Sequence, residues 1–294
     1  MGTQRTHFIE RHGLWTNDQK AAAADVLVRL EKEGIRNVRI GWGDQHGIVR
    51  GKTVTVEEFK SSLRSGKDFQ LVTAIFDTTN HPIVPPFGAE NALNIPEMIG
   101  LPDGVLVPDP TTFKILPWVK DTAWCLSDAY LANGMPCPLS TRQILRQQIE
   151  KLKGEGKSMT VGLEFEFYVF KLLDPKLSPA DSGYPPAAPD VEMVSHGYQY
   201  LTENRGDEVE GILSFLQENI QKLGLPLATL EDEWAPGSAK SPSRRSRQWR
   251  PRTPPSFSAQ RSSNCAVAMV STRASWLCRR CPMSSRAAGI CISH

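Results

Sequence analysis

Val161-Gly162-Leu163-Glu164-Phe165-Glu166-Phe167-Tyr168-Val169-Phe170 decides how this chain is read. Side chains of a strand alternate between faces, so Val161, Leu163, Phe165, Phe167 and Val169 share an apolar face. Glu164 and Glu166 fall together on the other face. At a rise of about 3.4 Å per residue their Cβ atoms stand roughly 7 Å apart. Two carboxylates among so many aromatics are costly to bury unpaired. A hard cation such as Mg²⁺ or Mn²⁺, which takes oxygen ligands, would balance them. The alternative is a half-exposed strand whose second face is simply wet.

Working outward, the 294 residues suffice for one large or two modest domains, and an apolar content of 40 % suits a globular core. No run approaches the roughly 18 apolar residues of a membrane span. The start, Met1-Gly2-Thr3-Gln4-Arg5-Thr6-His7, lacks the apolar core of a signal peptide, so a cytoplasmic location is expected.

The net charge of +2 hides a division. From Ser238 to His294 there are ten Arg, one Lys and no acidic residue, with 13 serines and four of the six cysteines. The preceding residues carry a net −9. Residues 238–294 are therefore read apart, as an Arg/Ser/Pro-rich tail with too little to bury.

In the acidic part, residues 17–33 read as a helix capped by Thr16 or Asn17 and ended by Gly34. Val38–Trp42 and Ile48–Val54 read as strands around an Asp44–Gly47 turn, followed by a helix over Val56–Ser65. Phe69–Phe76 reads as a strand leading into the polar loop Asp77–Pro82. A short strand covers Gly104–Val107. These elements imply a small α+β domain ending near residue 112 after an N-terminal arm of residues 1–15. Ser140 is expected to cap a helix over Thr141–Lys153 with Ile144, Leu145, Ile149 and Leu152 on one face. Residues 172–190 read as a loop. A helix over Glu208–Leu223, closed by Gly224, and a strand over Pro226–Glu233 follow. Glu231 and Glu233 share one face of that strand. Two acidic strands converging on a cation, or two surface strands, both satisfy the pattern.

Five motifs in order resemble the glutamine synthetase family: Asp44-Gln45-His46-Gly47-Ile48-Val49-Arg50-Gly51-Lys52, Phe76-Asp77-Thr78, Pro108-Asp109-Pro110-Thr111 with Pro117-Trp118, Leu163-Glu164-Phe165-Glu166-Phe167, and Glu233-Trp234-Ala235-Pro236-Gly237. The resemblance covers about residues 15–237. It implies an α+β fold: a small β-grasp domain (16–112), then the first part of a catalytic domain on a curved antiparallel sheet (113–237). It further implies ATP-dependent joining of the glutamate γ-carboxylate to ammonia or a small amine through γ-glutamyl phosphate. Phosphoryl transfer needs divalent cations to neutralise phosphate charge. Carried over residue by residue, Glu166 and Glu233 would hold the Mg²⁺ or Mn²⁺ nearer glutamate, and Glu164 the one nearer ATP. Asp77 would reach a neighbouring subunit's site and help deprotonate the incoming ammonium or amine, unless it is an ordinary turn aspartate. A homo-oligomeric ring is implied, with no membrane and no nucleic acid as partner.

The chain departs from the family pattern at Trp234, where a small aliphatic residue is usual, and ammonia is not separated from an amine. After Gly237 the family continues with Gln-x-Glu, whose Glu is a metal ligand. Here Lys240 stands at that place, a charge that would repel a cation. The later His-x-His segment is not readable either.

Three readings of the tail compete. Cys278-Arg279-Arg280-Cys281 with Cys291 and His294 has zinc-site spacing. Ser241–Arg252 resembles an RNA-binding arm. The third is translation in a shifted frame, and it is the one expected. Gly237-Ser238-Ala239-Lys240 written GGC-AGT-GCG-AAG reads CAG-TGC-GAA, which is Gln-Cys-Glu, once a single base lost from the Gly237 codon is restored. Ala288–Ser293 written GCT-GGC-ATC-TGC-ATC-AGT reads TGG-CAT-CTG-CAT-CAG, or Trp-His-Leu-His-Gln. The 294-residue chain is then either an active ligase or a catalytically dead frameshifted relative of one.

Overall fold

The computed structural model describes residues 6–85, 93–161, 164–173, 179–181, 183, 188, 190–242, 246–247 and 288–291. Two compact units divide the chain, Met1–Ser158 and Met159–His294.

In the first unit a short helix α1 (Phe8–Arg11) precedes α2 (Asn17–Lys32). Thr16 is the cap of α2. Its hydroxyl accepts the Gln19 N–H at 3.3 Å while Gln19 Oε1 accepts the Thr16 N–H at 3.0 Å, a reciprocal capping box. Ala23, Val26 and Leu30 form the buried stripe of α2, and Gly34, at φ +61°, ends it. Strands β1 (Asn37–Gly43) and β2 (Val49–Thr55) form the expected hairpin, followed by α3 (Val56–Ser65). Strands β3 (Lys67–Gln70), β4 (Asp103–Pro108), β5 (Lys114–Ile115) and β6 (Thr122–Tyr130) complete a mixed sheet of order β2-β1-β6-β4-β3, with β5 also on β6. β6 runs parallel to β1 and antiparallel to β4. Val26, Leu30, Val38, Ile40, Phe59 and Leu106 pack in its core.

The sequence reading is corrected at three places here. Strand structure in the Phe69–Phe76 run stops at Gln70, and Leu71–Ile75 is a 3₁₀ turn. Its buried residues, Leu71 and Ile75, are four apart, a helical rather than an alternating spacing. The sheet also does not close at residue 112, because β6 lies at its centre and the unit continues through α4 (Thr141–Gly154). All nine residues of β6 are buried, so it offers no alternation to read. Finally, Ser140 occupies the N-cap of α4 without a side-chain capping bond, and α4 buries Gln143 and Ile149 while Ile144 and Leu145 stand exposed.

Arg142 anchors α4 to the sheet. Its guanidinium donates to Asp128 Oδ1 at 2.5 Å and Asp109 Oδ2 at 2.6 Å, and Arg146 reaches Asp128 Oδ2 at 2.8 Å. Both aspartates are fully buried. Burial would lower the Arg142 pKa, but Asp128 and Asp109 outweigh it and hold the charge on.

The second unit comprises β7 (Thr160–Val161), β8 (Glu164–Leu172), β9 (Val191–Met193), α5 (Glu203–Lys222), β10 (Glu231–Asp232), β11 (Ser238–Pro242), β12 (Ser246–Arg247) and β13 (Ala288–Cys291). Its sheet has the order β10-β11-β8-β13 with β9 also on β8, all antiparallel, and β12 pairs β7. Helix α5 starts five residues before the expected Glu208, buries Val209, Leu213, Leu216 and Ile220, and ends at Gly224, φ +66°. The strand expected over Pro226–Glu233 is strand only at Glu231–Asp232. Ser238–Pro242, grouped with the tail on composition, is strand β11, with Ala239 and Ser241 buried. Small uncharged residues fit the crowded side of a sheet, and the dense Arg/Ser run begins only beyond them. Among the described residues no helix is long and apolar enough to cross a membrane.

Replacing Arg142 by Ala leaves two buried carboxylates without their shared counter-ion, so unfolding in urea should show the first unit destabilised by about 3–5 kcal/mol.

Candidate functional site

The alternation read from the sequence holds in β8. Phe167 and Val169 are buried, and Phe165 is half-buried on the same face, while Glu164 and Glu166 are exposed on the other. Gly162 and Leu163 lie outside the described residues. Opposite β8, strand β11 pairs Ala239 with Phe167, Lys240 with Glu166, and Ser241 with Phe165. That register puts Lys240 on the carboxylate face. Its ammonium reaches diagonally to Glu164 Oε1 at 2.8 Å and to Glu233 Oε1 at 3.3 Å. The Lys240 pKa is raised, first by its bond to Glu164 and then by Glu233, against the opposing effect of desolvation. Glu164 and Glu233 are thus brought together, with Glu166 directly across from the lysine that joins them.

Glu233 opens the turn between β10 and β11. Its N–H donates to Ser238 O at 3.0 Å and the Ser238 N–H to Ala235 O at 2.9 Å. Gly237 sits at φ +66°, and a Cβ there would lie 2.7 Å from Val169 O. Trp234 projects from the turn, 58 % exposed, edge-on to Tyr198 with ring centroids 6.3 Å apart. The neighbouring Asp232 is buried, and burial raises its pKa despite a bond from Gln199 Nε2. Sequence reading passed over it because it faces away from Glu231 and Glu233.

Asp77 belongs to the first unit. Its Oδ1 accepts the Thr79 N–H at 2.8 Å, the Thr79 hydroxyl at 2.7 Å and the His81 N–H at 2.9 Å. These bonds hold its carboxyl below the usual range, the His81 N–H contributing most. The loop is gripped from the β1–β2 turn. Gln45 Nε2 donates to Thr73 O at 3.1 Å and Phe76 O at 2.9 Å, and His46 Nε2 donates to Phe76 O at 2.7 Å. Asp44 shapes that turn by accepting from the His46 and Ile48 N–H groups and from Arg50 Nε at 2.8 Å.

Residues 138–240 match the family model described as glutamine synthetase, catalytic domain. A γ-glutamylanilide synthase from Acinetobacter sp is 36 % identical over 245 residues, covering 81 % of this chain and 49 % of that protein. This chain belongs to the glutamine synthetase family. A glutamate–isopropylamine ligase from Pseudomonas sp is 29 % identical over 211 residues, 71 % of this chain and 43 % of that protein. The solved structure titled GmaS/ADP complex-Conformation 1 superposes with a TM-score of 0.53 at 17 % identity, covering 91 % of this chain and 50 % of that one. The chain therefore spans less than half the length of these curated relatives, and the structural likeness establishes the glutamine-synthetase-type α+β fold.

Against the cation expected from family membership stands the chemistry of the donor set. Among the described residues no group of three or more His, Cys, Asp or Glu side chains is placed to hold a metal. The near oxygens of Glu164 and Glu233 are bridged by an ammonium instead. The residues present do not fit Mg²⁺ or Mn²⁺ there. The zinc spacing of the tail rests on Cys278, Cys281 and His294, which lie outside the described residues.

Two outcomes follow. Gly237→Ala should lose at least about 1–2 kcal/mol of stability in chemical denaturation, since a left-handed backbone disfavours a Cβ and Val169 O blocks it. The Asp77 carboxylate, with its pKa depressed in the fold, orders its loop above the ordinary carboxylate value of 3.8 and releases it as pH falls through the lowered one. Amide exchange of Thr79 and His81 should accelerate in that acid window, and at neutral pH in Asp77→Ala.

Proposed function

We propose that this chain is of the ATP-dependent ligase type that joins the glutamate γ-carboxylate to ammonia or a small amine through γ-glutamyl phosphate. The observation that supports the reading most is its 36 % identity, over most of its length, to a protein named γ-glutamylanilide synthase. Relatives named glutamate–isopropylamine ligase and glutamate–methylamine ligase favour an amine acceptor over ammonia. In this reading Asp77, ionised and fixed by Thr79 and His81, is the group that draws a proton from the incoming ammonium or amine. Glu164, Glu166 and Glu233 are the carboxylates of the phosphoryl-transfer side, and ATP and glutamate are the co-substrates. A homo-oligomeric ring in the cytoplasm, with sites shared between subunits, belongs to the same proposal.

One observation favours a second reading, a non-catalytic member of the family. Lys240 sets a positive charge between Glu164 and Glu233, where a metal serving phosphoryl transfer would need their oxygens. The family match runs only as far as that residue. A shifted reading frame from Gly237 onward accounts for both, and the gene's nucleotides test it: the codons must spell Gln-x-Glu and His-x-His one base over.

Phosphate release from ATP by the full chain, with Mg²⁺, glutamate and a panel of ammonium, methylamine, isopropylamine and aniline, separates the two. Release that requires glutamate and one of these acceptors is the expected result for the ligase. No release with any acceptor from a folded chain establishes the non-catalytic reading.

A further inference from the structure

We infer that the Lys240 ammonium is the resident cation of the acidic face of β8, and that this chain holds no divalent metal between Glu164 and Glu233. The ammonium stands 2.8 Å from one carboxylate oxygen and 3.3 Å from the other. Mg²⁺ requires oxygen ligands at about 2.0–2.1 Å, and a metal ion bound to both oxygens would be pressed against Nζ. Two positive centres at such a separation repel strongly, and the lysine already occupies the space between the two carboxylates and offsets one of their two charges.

Burial gives the lysine a structural task as well. Glu233 is 13 % exposed in its side chain and Lys240 16 %. The Glu233 Oε1 atom is shut off from solvent and has no aligned hydrogen bond among the described residues. A carboxylate oxygen in that position is tolerable only beside a positive charge, and Lys240 supplies it. Glu164, 52 % exposed, closes the outer side of the same bridge.

The backbone fixes this arrangement. Ala239 and Ser241, 2 % and 4 % exposed, commit the alternation of β11 to the buried face, so Lys240 must point to the acidic one. A one-residue slip would drive the lysine among Phe165 and Phe167, and the β10–β11 turn at Gly237 prevents it. One side chain therefore sets the chemistry of the site. A carboxylate at position 240 would lie directly across from Glu166 and within the same reach of Glu164 and Glu233, giving a divalent cation a set of hard oxygen donors. The inference concerns metal occupancy, which is read without turnover; a site held by lysine lacks the cation that phosphoryl transfer needs and so favours the non-catalytic reading.

Manganese binding, read by the loss of free Mn²⁺ electron paramagnetic resonance signal, tests it in the full-length chain. The wild type and the Glu164→Gln/Glu233→Gln double variant should bind Mn²⁺ alike. Lys240→Glu should bind at least about tenfold more tightly than the wild type, a gain that Glu233→Gln removes. Wild-type binding that falls in the double variant overturns the inference, as does a folded Lys240→Glu with no gain. If Lys240→Glu does not fold, the comparison of wild type with the double variant decides alone.

Discussion

The antiparallel register between β8 and β11 governs what the second unit can do. Pairing Ala239 with Phe167 and Ser241 with Phe165 puts small side chains against aromatic ones on the buried face. It leaves Lys240 with Glu164, Glu166 and Glu233 on the other. Because strand periodicity is two, packing on one face dictates charge on the opposite face. The glycine at 237 fixes that register at the turn, since no other residue accepts both its left-handed backbone and the proximity of Val169 O.

A comparable constraint organises the first unit. Arg142 carries the counter-charge of two buried aspartates from different parts of the chain, Asp109 and Asp128. It ties α4 to a sheet whose central strand, β6, is wholly buried. On the same unit, Gln45 and His46 hold the carbonyl of Phe76, so the residue after it, Asp77, stands at a place set by the β1–β2 turn rather than by its own loop. A carboxylate fixed by three donors is kept ionised and carries a full negative charge at neutral pH.

Local patterns were legible in the sequence where one face is wet. The hairpin of β1 and β2, the helix Val56–Ser65 and the alternation of β8 all have a polar side that marks their period. β6 has none, and it was missed for that reason. The run Leu71–Ile75 is apolar enough to read as strand, yet tertiary packing winds it into a turn. Composition assigned Ser238–Pro242 to the tail because charge and serine content are averaged over many residues, whereas two buried small side chains suffice to recruit a strand. Of the site, the carboxylates Glu164, Glu166 and Glu233 and the misfit at Lys240 were readable. The bridge between them was not, since Glu233 and Lys240 meet Glu164 only through the register of β11 on β8. Arg142 and Asp128 gave no motif, as buried ion pairs depend on contacts between distant segments.

Membership of the glutamine synthetase family and the ammonium-bridged acidic face are both properties of this chain, and they pull in different directions. The second unit gathers the carboxylates of Glu164, Glu166 and Glu233 on one strand face, the donor type that a metal managing phosphate charge would need. The side chain at 240 answers those carboxylates internally. The most direct test is an X-ray structure of crystals grown with Mn²⁺, with anomalous data collected at the manganese edge. The account predicts ordered density for Lys240 Nζ between Glu164 and Glu233 and no anomalous peak there. A manganese peak bonded to both carboxylates, with Lys240 turned aside, would contradict it.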